Sequence, residues 1–340
     1  MPIPLLFIGA IAVMGATGVG ISTKAGFDQS RAKSLNENSN LRIENAAIRL
    51  DHLRRQCGAS LQHLGEEKVF VLNGSIKSFL DSFKKLKNVD FAETIGIMEL
   101  SKLHIDQAFF DEIEGMEKFS FSLAKGAATG TAGGALAAFG AYSAATTFAT
   151  ASTGTAIASL SGAAASNATL AFFGGGSLAA GGLGIAGGTA VLGGLVAGPA
   201  LLVMGIIIGA KAGKNLEDAK SNAAKANEIC EQLENGTLQC IAIRRRTYMF
   251  YSLLARLDAY LMPLVFSMEQ IINNEGTDFS KFSNDSKKVI ACVASAAVAV
   301  KTVLDTPILA DDGSITAQSE TAVTALLADV EAVEIYRNCV

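Results

Sequence analysis

The sequence predicts an all-α protein, and three observations predict it. Apolar residues recur at three- and four-residue steps through the charged parts of the chain. No run of useful length alternates apolar and polar residues as a half-buried strand would. The one long uncharged stretch, Gly126 to Ala210, spaces its small residues as packed helices do. The expected architecture is an elongated helical bundle or coiled-coil stalk carrying an Ala/Gly-rich hydrophobic module.

Charge divides the 340 residues into four segments. Residues 1–23 are apolar, 24–125 form an amphipathic helical arm, 126–210 are Gly/Ala-rich, and 211–340 read as a C-terminal helical bundle. All side-chain charge sits in the second and fourth. Charged residues make up only 18% of the chain, against a typical ~25%. The net charge of −4 carries no nucleic-acid footprint.

Met1 to Thr23 is long enough to span a bilayer as a helix. A cleavable signal peptide would place Lys or Arg before its apolar run. Here Lys24, Arg31 and Lys33 follow it instead. By the positive-inside rule the charged body then lies on the cytoplasmic side, as at a bacterial inner membrane. Ala12, Ala16 and Gly20 make a small-residue stripe for close helix approach. The plainer alternative is a buried, Ala-rich terminal helix.

Asp28 to Leu64 reads as a long polar helix, with Leu50, Leu53, Cys57, Leu61 and Leu64 on one stripe. Val69 to Leu86 continues it through Leu72, Ile76, Phe79 and Phe83, with Asn73-Gly74 marking a bend that keeps the apolar phase. Lys84, Lys85 and Lys87 suit its C-terminal dipole. Phe91 to Ala124 is the next helical region. After Lys211, helices are expected over Leu216–Leu233, ending near Asn235-Gly236, and over Leu238–Ile272, kinked at Pro263. Phe282–Leu304 and Thr316–Tyr336 follow, separated by Pro307 and the Asp311-Asp312-Gly313 turn. The apolar run Ala294–Val300 is short and flanked by lysines, which fits a buried bundle helix better than a span.

Gly126 to Ala210 runs 85 residues without one Asp, Glu, Lys, Arg or His and holds twenty of the 34 glycines. Gly126, Gly130 and Gly134 form a small-xxx-small ladder, and Gly140 with Ala144 repeats the spacing. Gly184/Gly188, Gly194/Gly198 and Gly205/Gly209 do so later. Such ladders let helices approach closely in lipid, whereas in water each helical Gly gives up ~1 kcal/mol relative to Ala. Three helical pieces are expected, at about 127–151, 155–173 and 185–210. They differ in strength. Val191–Ile208 carries ten Leu, Ile or Val residues, worth about 3–6 kcal/mol of insertion on a translocon scale. Residues 126–168 carry only five strongly apolar ones in forty-three, so their insertion depends on partners. Marginal insertion permits a soluble state that hides the region and a membrane state that exposes it.

The chemistry-bearing residues do not assemble into an active site. Gly182-Leu183-Gly184-Ile185-Ala186-Gly187 matches a dinucleotide fingerprint by letter, without a preceding strand or an acidic residue at the ribose distance. His52 and His63 fall near one helix face, but with only His104 besides they read as surface histidines. Cys57, Cys230, Cys240, Cys292 and Cys339 are odd in number and scattered, which fits reduced thiols. No catalytic, cofactor or metal site is expected. Arg244-Arg245-Arg246 is the densest basic cluster, read either as a solvated face or as contact with anionic lipid head groups.

The opening MPIPLLFIGAIAVMGATGVG, the signature STGTAIASLSGAAASNATLAFFGGGSLAAGGLGIAGG and the following AVLGGLVAGPALLVMG resemble a group of uncharacterised bacterial Ala/Gly-rich proteins, loosely labelled glycine-zipper or chemotaxis-like. The resemblance covers most of residues 1–235 and brings no activity or catalytic residue. In plan, a helical rod interrupted by a concealed apolar hairpin, the chain is also similar to cytolysin A-type α-helical pore-forming toxins. It departs from them in its span-like N-terminus and its longer, Gly-rich insert.

These observations imply a membrane-inserting, self-associating protein that perturbs or permeabilises a bilayer, as a toxin or defence effector does. Its partners would be lipid and further copies of itself, with a protein partner at the charged helices as an added prospect. The alternatives are a membrane-anchored, non-catalytic scaffold or signalling adaptor, and a soluble bundle with buried Ala/Gly helices.

Overall fold

The computed structural model describes residues 22–90, 107–128, 133–141, 216–310 and 314–322. These are helical almost throughout, and among them no strand forms. The fold is all-α, as the periodicity requires. Isolated bridges pair Lys87 with Asp278 and Leu309 with Ile315. The chain divides into two compact units, Met1–Arg54 with Ala197–Cys240, and Arg55–Val196 with Ile241–Val340.

Helix α1 spans Ser22–Val71 and passes through both units. At Leu72–Ile76 it loosens into a π-helical turn before α2 resumes over Lys77–Phe83. The Asn73-Gly74 pair falls within this turn. The helix does not end there, and Leu72, Ile76, Phe79 and Phe83 on either side of the pair are all buried. Ser75 at this turn donates to Asp258.

Helix α3 covers Gln107–Ala128 and α4 covers Gly133–Ala141. Helix α3 lies along α2 and the π-turn, where Phe79, Phe83 and Phe110 stack at 5.1–6.4 Å between ring centres. Outside that aromatic contact Lys84 meets Glu114 at 2.5 Å and Lys77 meets Glu117 at 3.4 Å. The sequence ladder begins in these two helices, with Gly126 in α3 and Gly134 in α4.

Helix α5 runs unbroken over Leu216–Glu275. The break expected at Asn235-Gly236 is absent, and the helix also continues through Pro263. Packing explains the first point. Gly236 is buried with the Leu50 methyls 3.4 Å from where its Cβ would stand, and Leu233, Thr237 and Cys240 around it are buried too. Burying those side chains outweighs the ~1 kcal/mol that one helical Gly costs. The helix ends on Gly276, at φ +90°, whose N–H returns to the Ile272 carbonyl at 3.0 Å. Only Gly adopts that left-handed cap without strain.

Helix α6 spans Asn284–Asp305, with the Ser283 hydroxyl accepting from the Ser286 N–H at its start. It buries Val293, Ala294, Ala296, Ala297, Ala299 and Val300, so the Ala-rich run is core. A last helical segment, 317–322, starts at Thr316, whose hydroxyl accepts from the Ser319 N–H at 3.1 Å. One described helix, α5, is long and apolar enough over part of its length to cross a membrane. A core helix meets that test equally, and α5 buries Leu253, Leu254, Leu257, Leu261 and Val265. The expected span at 185–210 and the piece at 155–173 lie outside the described residues, as does the span at 1–23 up to Ser22, where α1 begins.

Candidate functional site

The site of most interest is where the first helix of the Gly-rich stretch meets the charged body, within the second unit. Helix α4 belongs to the uncharged stretch, yet its described side chains are not exposed. Leu136, Phe139 and Ala141 are 3%, 0% and 0% accessible.

Two glycines set the approach. A Cβ on Gly65 of α1 would overlap the Leu136 carbonyl of α4, whose carbon would lie only 2.7 Å away. A Cβ on Gly140 of α4 would overlap the Leu61 carbonyl of α1, whose carbon would lie at 2.9 Å. The crossing is reciprocal, backbone against backbone, and neither position admits a side chain. Gly140 was expected on a small-residue ladder. Its partner here is Gly65 of the same chain.

Three turns of sequence logic place Lys68 beside this crossing. It follows Leu64 by four residues and precedes Leu72 by four, so the helix aims it at the core. It is fully buried. Its Nζ donates to the Phe139 carbonyl at 2.9 Å and stands 5.5 Å from the centre of the Phe139 ring. Burial pulls its pKa down from 10.5 to about 7, while the Asp305 carboxylate works in the other direction.

The recipient carbonyl matters. Phe139 and Ala141 lie in the last turn of α4, where carbonyls lack partners inside the helix and the dipole is negative. The body satisfies both. Lys68 takes the Phe139 carbonyl, and the Ala141 carbonyl accepts from the Ile308 N–H at 2.8 Å and the Leu309 N–H at 3.0 Å. Helix α4 therefore receives its C-terminal cap from two distant parts of the chain.

A short charge relay backs this cap. Lys301 of α6 contacts Asp305 at 2.5 Å and Glu112 of α3 at 2.6 Å. Burial raises the Asp305 pKa, with Lys301 opposing it most strongly. The Asp305 Oδ1 is buried and finds no hydrogen-bond partner among the described residues. An acid whose second oxygen is left dry favours its neutral form, and the cationic neighbours restrain that shift.

The remaining candidates fall elsewhere. Arg244 donates to Gln56, and Arg246 donates to the Ser319 carbonyl at 3.0 Å and meets Glu320 at 3.7 Å. Arg245 is exposed. Two of the three arginines thus hold the protein's own helices together. Gly130, Gly184, Gly188, Gly194, Gly198, Gly205 and Gly209 lie outside the described residues. His63 pairs with Glu66 at 3.2 Å on the surface. Cys57, Cys230 and Cys240 are buried thiols, and burial raises the pKa of both Cys230 and Cys240.

Sequence reasoning missed Lys68, Gly65, Asp305, Lys301 and Glu112. Lys68 had a legible signal: it is a lysine on the apolar stripe, between Leu64 and Leu72. No protein-family model, curated protein or solved structure matches the chain.

Proposed function

We propose that this protein inserts into a bilayer, associates with itself there, and perturbs or permeabilises the membrane, in the manner of a pore-forming toxin or defence effector. The observation that carries the reading is the 85-residue stretch without an Asp, Glu, Lys, Arg or His, set between two charged helical arms. A segment that long in a wholly water-facing protein would need polar cover on its outer face. Its last third gains enough from Leu, Ile and Val to insert alone, while its first two thirds depend on partners. Helix α4, at the start of that weaker part, is buried against the body. Burial of this kind is what a soluble form that conceals its membrane segment requires.

Dye release from liposomes tests the reading. Purified full-length protein is expected to empty vesicles containing anionic phosphatidylglycerol, through residues 126–210 with help from 1–23. Binding without leakage would favour the non-catalytic scaffold or adaptor. Failure to bind at all would favour the soluble bundle, to which the buried state of α4 is also suited.

A further inference from the structure

We propose that Lys68, with Gly65 and the backbone of Ile308 and Leu309, forms a latch that holds α4 on the body and controls release of the Gly-rich stretch. The inference rests on the membrane-inserting reading, but its structural content stands apart from it. Helix α4 has little of its own to keep it helical in water. It is nine residues long, holds three glycines in GGALAAFGA, and carries no charged side chain. A helix that short is marginal in isolation. Its attachment is therefore supplied from outside, and at its C-terminal turn the supply comes from Lys68, Ile308 and Leu309.

Each part of the latch has a physical role. The glycine pair Gly65 and Gly140 brings the two backbones close enough that no side chain intervenes. That closeness lets the Lys68 Nζ reach the Phe139 carbonyl while it stands over the Phe139 ring. The Ile308 and Leu309 amides hold the Ala141 carbonyl from the opposite direction in sequence. A lysine buried only for packing would be a poor choice at this position, because desolvating it is costly and Met or Leu would fill the space. Directed hydrogen bonds have a different property from apolar packing. They fail together once the carbonyls move, so the contact is either made or lost.

The latch also explains where release would begin. Residues 142–210 continue the uncharged stretch directly after α4 in sequence, which puts the proposed release at α4. The lysine gains water on release, which offsets part of the lost bonding. The device is thus held by contacts that solvent can replace.

Hydrogen–deuterium exchange on the full-length protein tests this, comparing wild type with Lys68→Met. Amides of residues 133–141 are expected to exchange about tenfold faster or more in the variant, while those of α6 change little. Gly140→Ala attacks the same contact without touching Lys68 and is expected to give the same local pattern. Unchanged exchange in α4 in both variants would overturn the latch. Equal acceleration in α4 and α6 would overturn it too, because Lys68 would then be an ordinary core residue. Dye release separates the two readings. Faster α4 exchange with no leakage from any form keeps the latch and removes the bilayer function. Leakage with α4 exchange unchanged does the reverse.

Discussion

Glycines in α1 illustrate how differently one residue type acts within a single helix. Gly58 has nothing within 4 Å of its would-be Cβ, whereas Gly65 faces the Leu136 backbone. Gly58→Ala should therefore stabilise the protein by up to ~1 kcal/mol through helix propensity alone. Gly65→Ala should destabilise it by about 1–3 kcal/mol, because the overlapping atoms are backbone and cannot turn aside. Urea midpoints of the two variants are expected to move in opposite directions. Lys68 adds a pH signature. Released or unfolded, it binds its proton near 10.5, but docked it does so only near 7. The opened state thus holds more protons across that window, and docking weakens as pH falls from 10.5 to about 7, then levels off. Asp305 faces Lys68 with Lys301 and Glu112 beside it, and its raised pKa works in the opposite sense, since stability is lost as pH rises through it. The thiols Cys230, Cys240 and Cys292, whose pKa values burial raises, oppose the alkaline trend equally in both proteins. The difference between wild type and Lys68→Met therefore isolates the lysine. The urea midpoint of wild type should rise between pH 7.5 and 9.5 more than that of Lys68→Met. Equal slopes would mean that the proton of Lys68 is not linked to folding.

At the scale of elements, the helices were legible wherever their stripe was continuous. The stripe from Leu50 to Leu64, its continuation through Phe83, and the buried Ala-rich run of α6 all follow from spacing. The predicted starts at Phe282 and Thr316 fall within a residue or two of the observed ones, where Ser283 and Thr316 serve as caps. What spacing misjudged was Asn235-Gly236. A turn-forming pair is a local preference, and the buried neighbours Leu233, Thr237 and Cys240 override it. Gly236→Ala tests that account. The Leu50 methyls stand at 3.4 Å, within reach of small adjustment, so the change should be neutral or mildly stabilising despite burial. A loss of helix content in circular dichroism would show that the glycine serves a bend after all. The α4 site was illegible for another reason. Its residues come from α1, α3, α4, α6 and the chain at Ile308, and no local period links Lys68 to Phe139 across 71 positions.

At the scale of the whole molecule, the proposed function turns on two alternative uses of the uncharged stretch. Its Gly-rich ladders gain from close helix packing, whether against its own body or against other copies. Gly140 already shows the first option, because its close contact is with Leu61 of the same chain. The ladder at Gly194 and Gly198 lies in the strongly apolar last third, Val191–Ile208, which is expected to insert unaided. If its small faces meet between protomers in lipid, replacing both glycines by Leu keeps the segment apolar and removes only the close approach. Gly194→Leu with Gly198→Leu should therefore leave vesicle binding intact while cross-linked oligomers fall to monomer and dye release is lost. Unchanged cross-linking would show that this ladder packs nothing between copies. Loss of vesicle binding itself would place the glycines in insertion instead of assembly. Flotation of cell membranes adds the complementary reading, since a permanently anchored chain floats wholly with lipid and a latched one divides between the soluble and membrane fractions.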